Sequence, residues 1–160
     1  EDLYHAIIDD LCSDDSGKFI MIERIKGMDG RDAFFEVARH LLELHSKDTT
    51  LPRLIMYSAL EGQDFSEIFL RSRGMEMLEC LSGLIKGLVE EGRFEDVDSE
   101  LSARAFLGMI VHYSISQEIY GFKKHFKRSI DEAAGRFVDI FFDGMTARGM
   151  TTKKKTKKES

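Results

Sequence analysis

Apolar residues recur at intervals of three and four along nearly the whole chain. The period-two alternation of a half-buried strand is almost absent. The pattern predicts an all-α fold of six helical segments. The first covers Glu1 to Lys26, with Leu3, Ala6, Ile7, Leu11, Phe19, Ile22 and Ile25 on its apolar side, a break near Asp14–Gly17, and a stop at Gly27 and Gly30. The second, Arg31 to Ser46, places Phe34, Val37, Ala38, Leu41 and Leu42 on one face. Thr49 and Thr50 offer caps for a short third segment, Leu51 to Leu60, with Pro52 in its first turn and Gly62 behind it. Asp64 and Glu67 have capping-box spacing for the fourth, which carries Ile68, Phe69, Met77, Leu78, Leu81, Leu84, Ile85, Leu88 and Val89 and ends at Gly92. Gly74, Gly83 and Gly87 lie inside it and predict a bend or a close helix contact. Asp98 caps the fifth segment, which Gly121 ends, and Ser129 with Glu132 caps the sixth, which runs to Met145.

The last two segments are more apolar than one core requires. A helix covering a core needs a stripe of roughly 100°. The fifth carries Leu101, Ala105, Phe106, Leu107, Met109, Ile110, Val111, Tyr113, Ile115 and Ile119, and the sixth carries Ala133, Ala134, Phe137, Val138, Ile140, Phe141, Phe142 and Met145. Both are too short and too charged to span a bilayer. Each is expected to bury one side in its own core and another against a second copy of the chain. Phe106, Met109, Tyr113, Phe137, Phe141 and Met145 are the candidate interface residues.

Composition narrows the class. The 160 residues suffice for one domain with a real core. With 32% charged and 42% hydrophobic residues, the chain has the balance of a soluble globular protein. The net charge of −6 hides an asymmetry, because Lys153, Lys154, Lys155, Lys157 and Lys158 crowd the last residues and leave a more acidic body. Such a body repels a phosphate backbone. The expected organisation is a domain over 1–150 and a solvated lysine-rich tail over 151–160. Cys12 and Cys80 have no metal-binding or redox spacing, which suits a cytoplasmic setting, and no membrane segment is present.

Candidate chemistry is sparse. Asp9, Asp10, Asp14 and Asp15 form an acidic cluster, but no second acidic motif faces it at a spacing that would hold a metal. His40 follows Glu36 by four, whereas carboxylate-bridged bundles repeat Glu-x-x-His twice. His5, His45 and His125 read as surface residues, and His112 as a core or interface group. A phosphate loop, a nucleophile elbow and a Cys–His pair are all lacking. The expectation is a protein that is not an enzyme and holds neither metal nor cofactor. A helical-bundle enzyme or metal protein, and a purely structural dimerisation module, stand as alternatives.

Six segments in this order resemble the regulatory domain of the TetR (tetracycline repressor) family of transcription regulators. Glu1-Asp2-Leu3-Tyr4 is similar to the place where that family's helix-turn-helix hands over to the regulatory domain. Glu90-Glu91-Gly92-Arg93 through Val97-Asp98, with Ala103-Arg104 and Phe106-Leu107-Gly108, resembles its linker and penultimate helix, and Phe137 through Met145 its last helix. The resemblance implies a homodimer in which the last two helices of each copy form a four-helix bundle. It also implies an effector cavity among the earlier helices, and operator contact through a DNA-reading unit expected before Glu1. On that reading the candidate wall is Phe19, Ile22, Phe34, Met56, Tyr57, Leu60, Met77, Leu81, Leu84, Tyr113 and Gln117. Bulky apolar side chains dominate it, with Tyr57 and Gln117 as polar anchors and no basic group. The expected effector is therefore hydrophobic or amphipathic, with one polar end.

Overall fold

The computed structural model describes residues 24–62 and 64–146, apart from the side chains of 72 and 73. They form six α-helices: α1 (Gly30–Lys47), α2 (Thr50–Leu60), α3 (Phe65–Phe69), α4 (Met75–Glu90), α5 (Ser99–Glu118) and α6 (Ile130–Met145). No strand occurs among the described residues, so the fold is all-α. The segment expected as one helix from Asp64 to Gly92 is divided. A π-helical turn, Leu70–Gly74, separates α3 from α4. Such a turn inserts a residue into the hydrogen-bond ladder and shifts the faces on its two sides. The distortion expected from the internal glycines thus falls at Gly74, while Gly83 and Gly87 have no described neighbour in close approach.

The local start signals were partly right. The Asp98 carboxylate accepts from the backbone N–H of Glu100 and Leu101 at the head of α5, and Ser129 Oγ accepts from that of Glu132 at the head of α6. Neither threonine caps α2 through its side chain. The Asp48 carboxylate accepts from Thr50 N–H at 2.8 Å instead. Asp64 makes no side-chain cap on α3; Ser58, buried on α2, accepts from Ser66 N–H at 3.2 Å and ties the two helices together. Gly30 opens α1 rather than ending the helix before it, behind the Asp29 carboxylate that accepts from Arg31 N–H; the Leu88 side chain of α4 lies 3.0 Å from where a Cβ would sit, which favours glycine there.

The core is built on Phe34 of α1, which has no exposed surface. Its ring meets Phe106 of α5 at 4.7 Å, Phe141 of α6 at 5.3 Å and Phe142 of α6 at 5.6 Å. Phe94, from the connection between α4 and α5, closes the cluster against Phe142 at 4.9 Å. Val37, Ala38, Leu81, Ile85, Ala103, Ile110, Ala134 and Val138 surround these rings. Each buried phenylalanine contributes about 1.5–3 kcal/mol from area alone, and edge-on or offset ring pairs add to it.

Polar contacts clamp the rim of this core. Arg31 pairs with Asp139 and lies 5.3 Å over the Phe142 ring. Arg93 pairs with Asp29 at 2.8 Å, and Glu95 N–H donates to the Met145 carbonyl at 3.0 Å. These contacts hold the α4–α5 connection onto the start of α1 and the end of α6. Their distances are short but their side chains are partly exposed, so they contribute modestly and mainly set geometry.

Candidate effector cavity at the turn between α5 and α6

Helix α5 is apolar around most of its circumference, and its neighbours sort that surface. Ser99, Ala103, Phe106, Ile110, Ser114 and Gln117 recur at three and four and are buried against the rest of the protomer. Leu101, Ala105, Gly108 and His112 recur at the same spacing on the opposite side and are exposed. On α6, Ile140 is exposed beside half-buried Phe137. Leu101 is 64% and Ile140 60% exposed, a large apolar residue on each of the two helices with nothing over it in the protomer.

The six candidate interface residues divide accordingly. Phe106 and Phe141 lie inside the phenylalanine cluster and offer the outside almost nothing. Met109, Tyr113, Phe137 and Met145 are half-buried, and Tyr113 and Phe137 meet edge-on at 5.2 Å. Leu101 and Ile140 were missed as interface candidates, although both stand in the apolar pattern of their helices.

At the C-terminal end of α5 the chain leaves the helix through Gly121, whose φ of 81° is a left-handed conformation that glycine adopts without strain. A single 3₁₀ turn, Phe122–Lys124, folds the following residues back toward α5 before α6 begins. The fold-back encloses a cavity of about 520 Å³, open to solvent, lined by Tyr113, Ser116, Gln117, Phe122, His125, Phe126, Lys127 and Arg128. A smaller cavity of about 60 Å³ lies deeper, toward Leu42 and Ser46 of α1, and shares Tyr113, Gln117, Phe126 and Arg128 with the outer one. Lys123 clips the turn in place, donating to Glu118 at 2.7 Å and to Ser46 at 3.2 Å.

Electrostatics distinguish this end from the rest of an acidic chain. Lys123, Lys127 and Arg128 converge on it, and among the described residues Glu118 and Glu132 pair with them, the latter 3.5 Å from Arg128. Burial raises the Tyr113 hydroxyl above its ordinary value, with Arg128 opposing. Gln117 is only 8% exposed, yet its Oε1 has no hydrogen-bond partner among the described residues. A buried polar atom without a partner typically costs about 1–3 kcal/mol, so it stands out in a native fold. His45, expected on the surface, is half-buried one residue before Ser46; its Nδ1 lacks a partner among the described residues and burial holds its imidazole below the ordinary value.

The effector wall read from the sequence does not come together as one surface. Phe34 and Leu81 are sealed in the core. Met56, Met77 and Leu84 are half-buried, while Tyr57 and Leu60 on α2 are exposed, Leu60 to 85%. Phe19 and Ile22 lie outside the described residues, as do the acidic cluster at Asp9–Asp15 and the lysine tail. Tyr113 and Gln117 alone among the candidates line the cavities at the turn. Unlike the wall read from the sequence, this cavity carries basic groups, because the turn brings Lys127 and Arg128 to it. The signal was present in the sequence: Phe122-Lys123-Lys124-His125-Phe126-Lys127-Arg128 is a basic, aromatic run within an acidic body.

No cluster of three or more metal-ligating side chains occurs among the described residues. Glu36 is engaged instead with Arg39 at 2.8 Å and Arg24 at 3.4 Å, which lowers its carboxyl. Among the described residues, no helix is long and apolar enough to cross a membrane. Residues 33–144 match the family model described as the AefR-like transcriptional repressor, C-terminal domain. Searches of curated proteins and of solved structures give no match.

Proposed function

This chain belongs to the TetR-type family of AefR-like transcriptional repressor C-terminal domains, and from that premise we propose that it senses a small effector and holds two copies of a transcription regulator together. One observation carries the reading: α5 and α6 bear both the outward apolar face at Leu101 and Ile140 and, where they join, the open cavity around Tyr113 and Gln117. A ligand in that cavity touches the same helices that would form a four-helix bundle with a second copy.

The proposed mechanism follows from linkage. A ligand shifts an equilibrium only by preferring one of its states. The inner cavity extends from the α5–α6 turn to Leu42 and Ser46 near the end of α1, where Lys123 donates to Ser46. A ligand seated there would bias how the two dimer-forming helices sit on α1. DNA-reading units carried on the N-terminal side would feel that bias as a change in their separation, and half-sites one helical turn apart require about 34–36 Å. The operator is then contacted by those units, and the acidic regulatory domain only spaces them.

Assembly provides the test. The 160-residue chain should run as a dimer at micromolar concentration by light scattering. Ile140→Asp should run as a monomer with unchanged helical content, because it places a charge twice in a symmetric apolar contact without entering the protomer's core. Phe141→Asp is the wrong variant for this purpose, since Phe141 lies within the phenylalanine cluster and its loss would unfold the protomer. A wild-type chain that is monomeric at that concentration overturns the reading.

A further inference from the structure

We infer that the cavity at the α5–α6 turn takes a small amphipathic organic acid, with its carboxylate at Lys127 and Arg128, its apolar body against Phe126 and Tyr113, and a hydroxyl at Gln117. The inference rests on reading this cavity as the effector site, and it adds the chemical class of the ligand.

Three features of the site specify three parts of the molecule. The mouth is cationic. Lys127 makes no ion pair among the described residues, and Arg128 meets Glu132 only through Nε at 3.5 Å, which leaves the outer edge of its guanidinium open to a carboxylate. The middle is aromatic. Phe126 is 64% exposed and meets Phe122 edge-on at 6.0 Å, an apolar surface with no cover in the protomer. The inner end is polar and incomplete. Gln117 lines both cavities, its Oε1 lacks a donor, and the inner cavity of about 60 Å³ has room for a hydroxyl-sized group. A hydroxyl both donates and accepts, so it satisfies the amide whichever way the amide is turned. An outer cavity of about 520 Å³ admits a single ring with substituents at both ends. A neutral apolar compound would leave both the cationic mouth and the Gln117 oxygen unanswered. A nucleotide would bring more negative charge than these cations balance beside Glu118 and Glu132.

Three probes separate the parts: 4-hydroxybenzoate, benzoate, which lacks the hydroxyl, and 4-hydroxybenzyl alcohol, which lacks the charge. They are titrated into the 160-residue chain by NMR, following the resonances of Tyr113, Gln117 and Phe126. The hydroxy acid should bind about tenfold more tightly than either of the others, and added salt should weaken it more than the alcohol. Gln117→Met keeps the volume and removes the amide; it should bring 4-hydroxybenzoate and benzoate to equal affinity. Lys127→Gln with Arg128→Gln, on exposed side chains that folding does not need, should do the same for the acid and the alcohol. If all three probes shift the cavity resonances with equal affinity, or if the Gln117→Met chain still discriminates, the assignment of an organic acid is overturned while the cavity stands as the effector site. If none of them shifts those resonances in a folded dimer, the cavity is not the effector site and the inference falls with that reading.

Discussion

The protomer gathers phenylalanines in two places and treats them in opposite ways. Around Phe34, rings from α1, α5, α6 and the α4–α5 connection meet at 4.7–6.2 Å and exclude solvent. At the far end of α5, Phe122 and Phe126 sit on and just after a short turn, pair with no ring but each other's among the described residues, and stay exposed beside an open cavity. The residue type is the same; the difference lies in what positions it. Rings borne on three long helices and a clamped connection have their backbone hydrogen bonds satisfied within rigid elements and can interdigitate. Rings on and just after a 3₁₀ turn held by Gly121 and the Lys123 clip do not reach that core. They line a concave, cationic surface instead. Closed packing supplies stability, and open aromatic surface supplies the site proposed for the effector.

The largest test of this contrast is Phe106→Ala. It removes a ring with no exposed surface from the centre of the cluster and should destabilise the protomer by about 3–5 kcal/mol, read from denaturant midpoints. A loss under about 1 kcal/mol would mean that the cluster is loosely packed. Next is Asp98→Ala, which removes the carboxylate that accepts two N–H groups at the head of α5; it should cost about 0.5–2 kcal/mol in the same assay. Because α5 serves both regions, this loss should appear at the cavity resonances as well as in the core.

A pH series sharpens the comparison from the side of the cavity. Burial holds His45, next in sequence to the cavity-lining Ser46, below its ordinary value of 6.5, and His40 likewise. With the folded-state pKa depressed, the unfolded chain takes up the proton first as pH falls. Stability is therefore complete above about 6.5 and declines as pH drops through the window down to the lowered folded values. His45→Gln should flatten part of that decline below pH of about 6.5, whereas core variants such as Phe106→Ala should leave its shape unchanged. The smallest effect is expected at Phe126→Ala, within about 0.5 kcal/mol of wild type for an exposed side chain. The same substitution should weaken binding of 4-hydroxybenzoate. A stability loss as large as that of Phe106→Ala would show that the open site belongs to the core after all.

What the sequence by itself determined, among the described residues, is the all-α class, most of the helix ends and the family they resemble; the stretch from Asp64 to Gly92 reads as one helix and is divided by the π-helical turn. Apolar spacing of three and four, Asp98 and Ser129 as caps, and Gly62, Gly92 and Gly121 as stops are local signals, and local hydrogen bonding reads them directly. The excess apolar surface on the last two segments was legible too, and so was a distortion at Gly74, Gly83 or Gly87, which the structure places at Gly74. Only the tertiary structure decided which way each stripe faces. A helix that is apolar on several sides, as α5 is, contains no local instruction about which side meets its own core. The choice of Ala103, Phe106 and Ile110 for the inside, and of Leu101 and Ala105 for the outside, is made by α1 and α4 packing against it. The same holds for Phe34 and Leu81, which a helical wheel cannot tell from pocket lining, because core and cavity draw on the same residue types. The cavity itself lies beyond sequence periodicity. It exists because a left-handed Gly121 turns a basic, aromatic segment back over Tyr113 and Gln117, and such a return is fixed by contacts between residues distant in the chain.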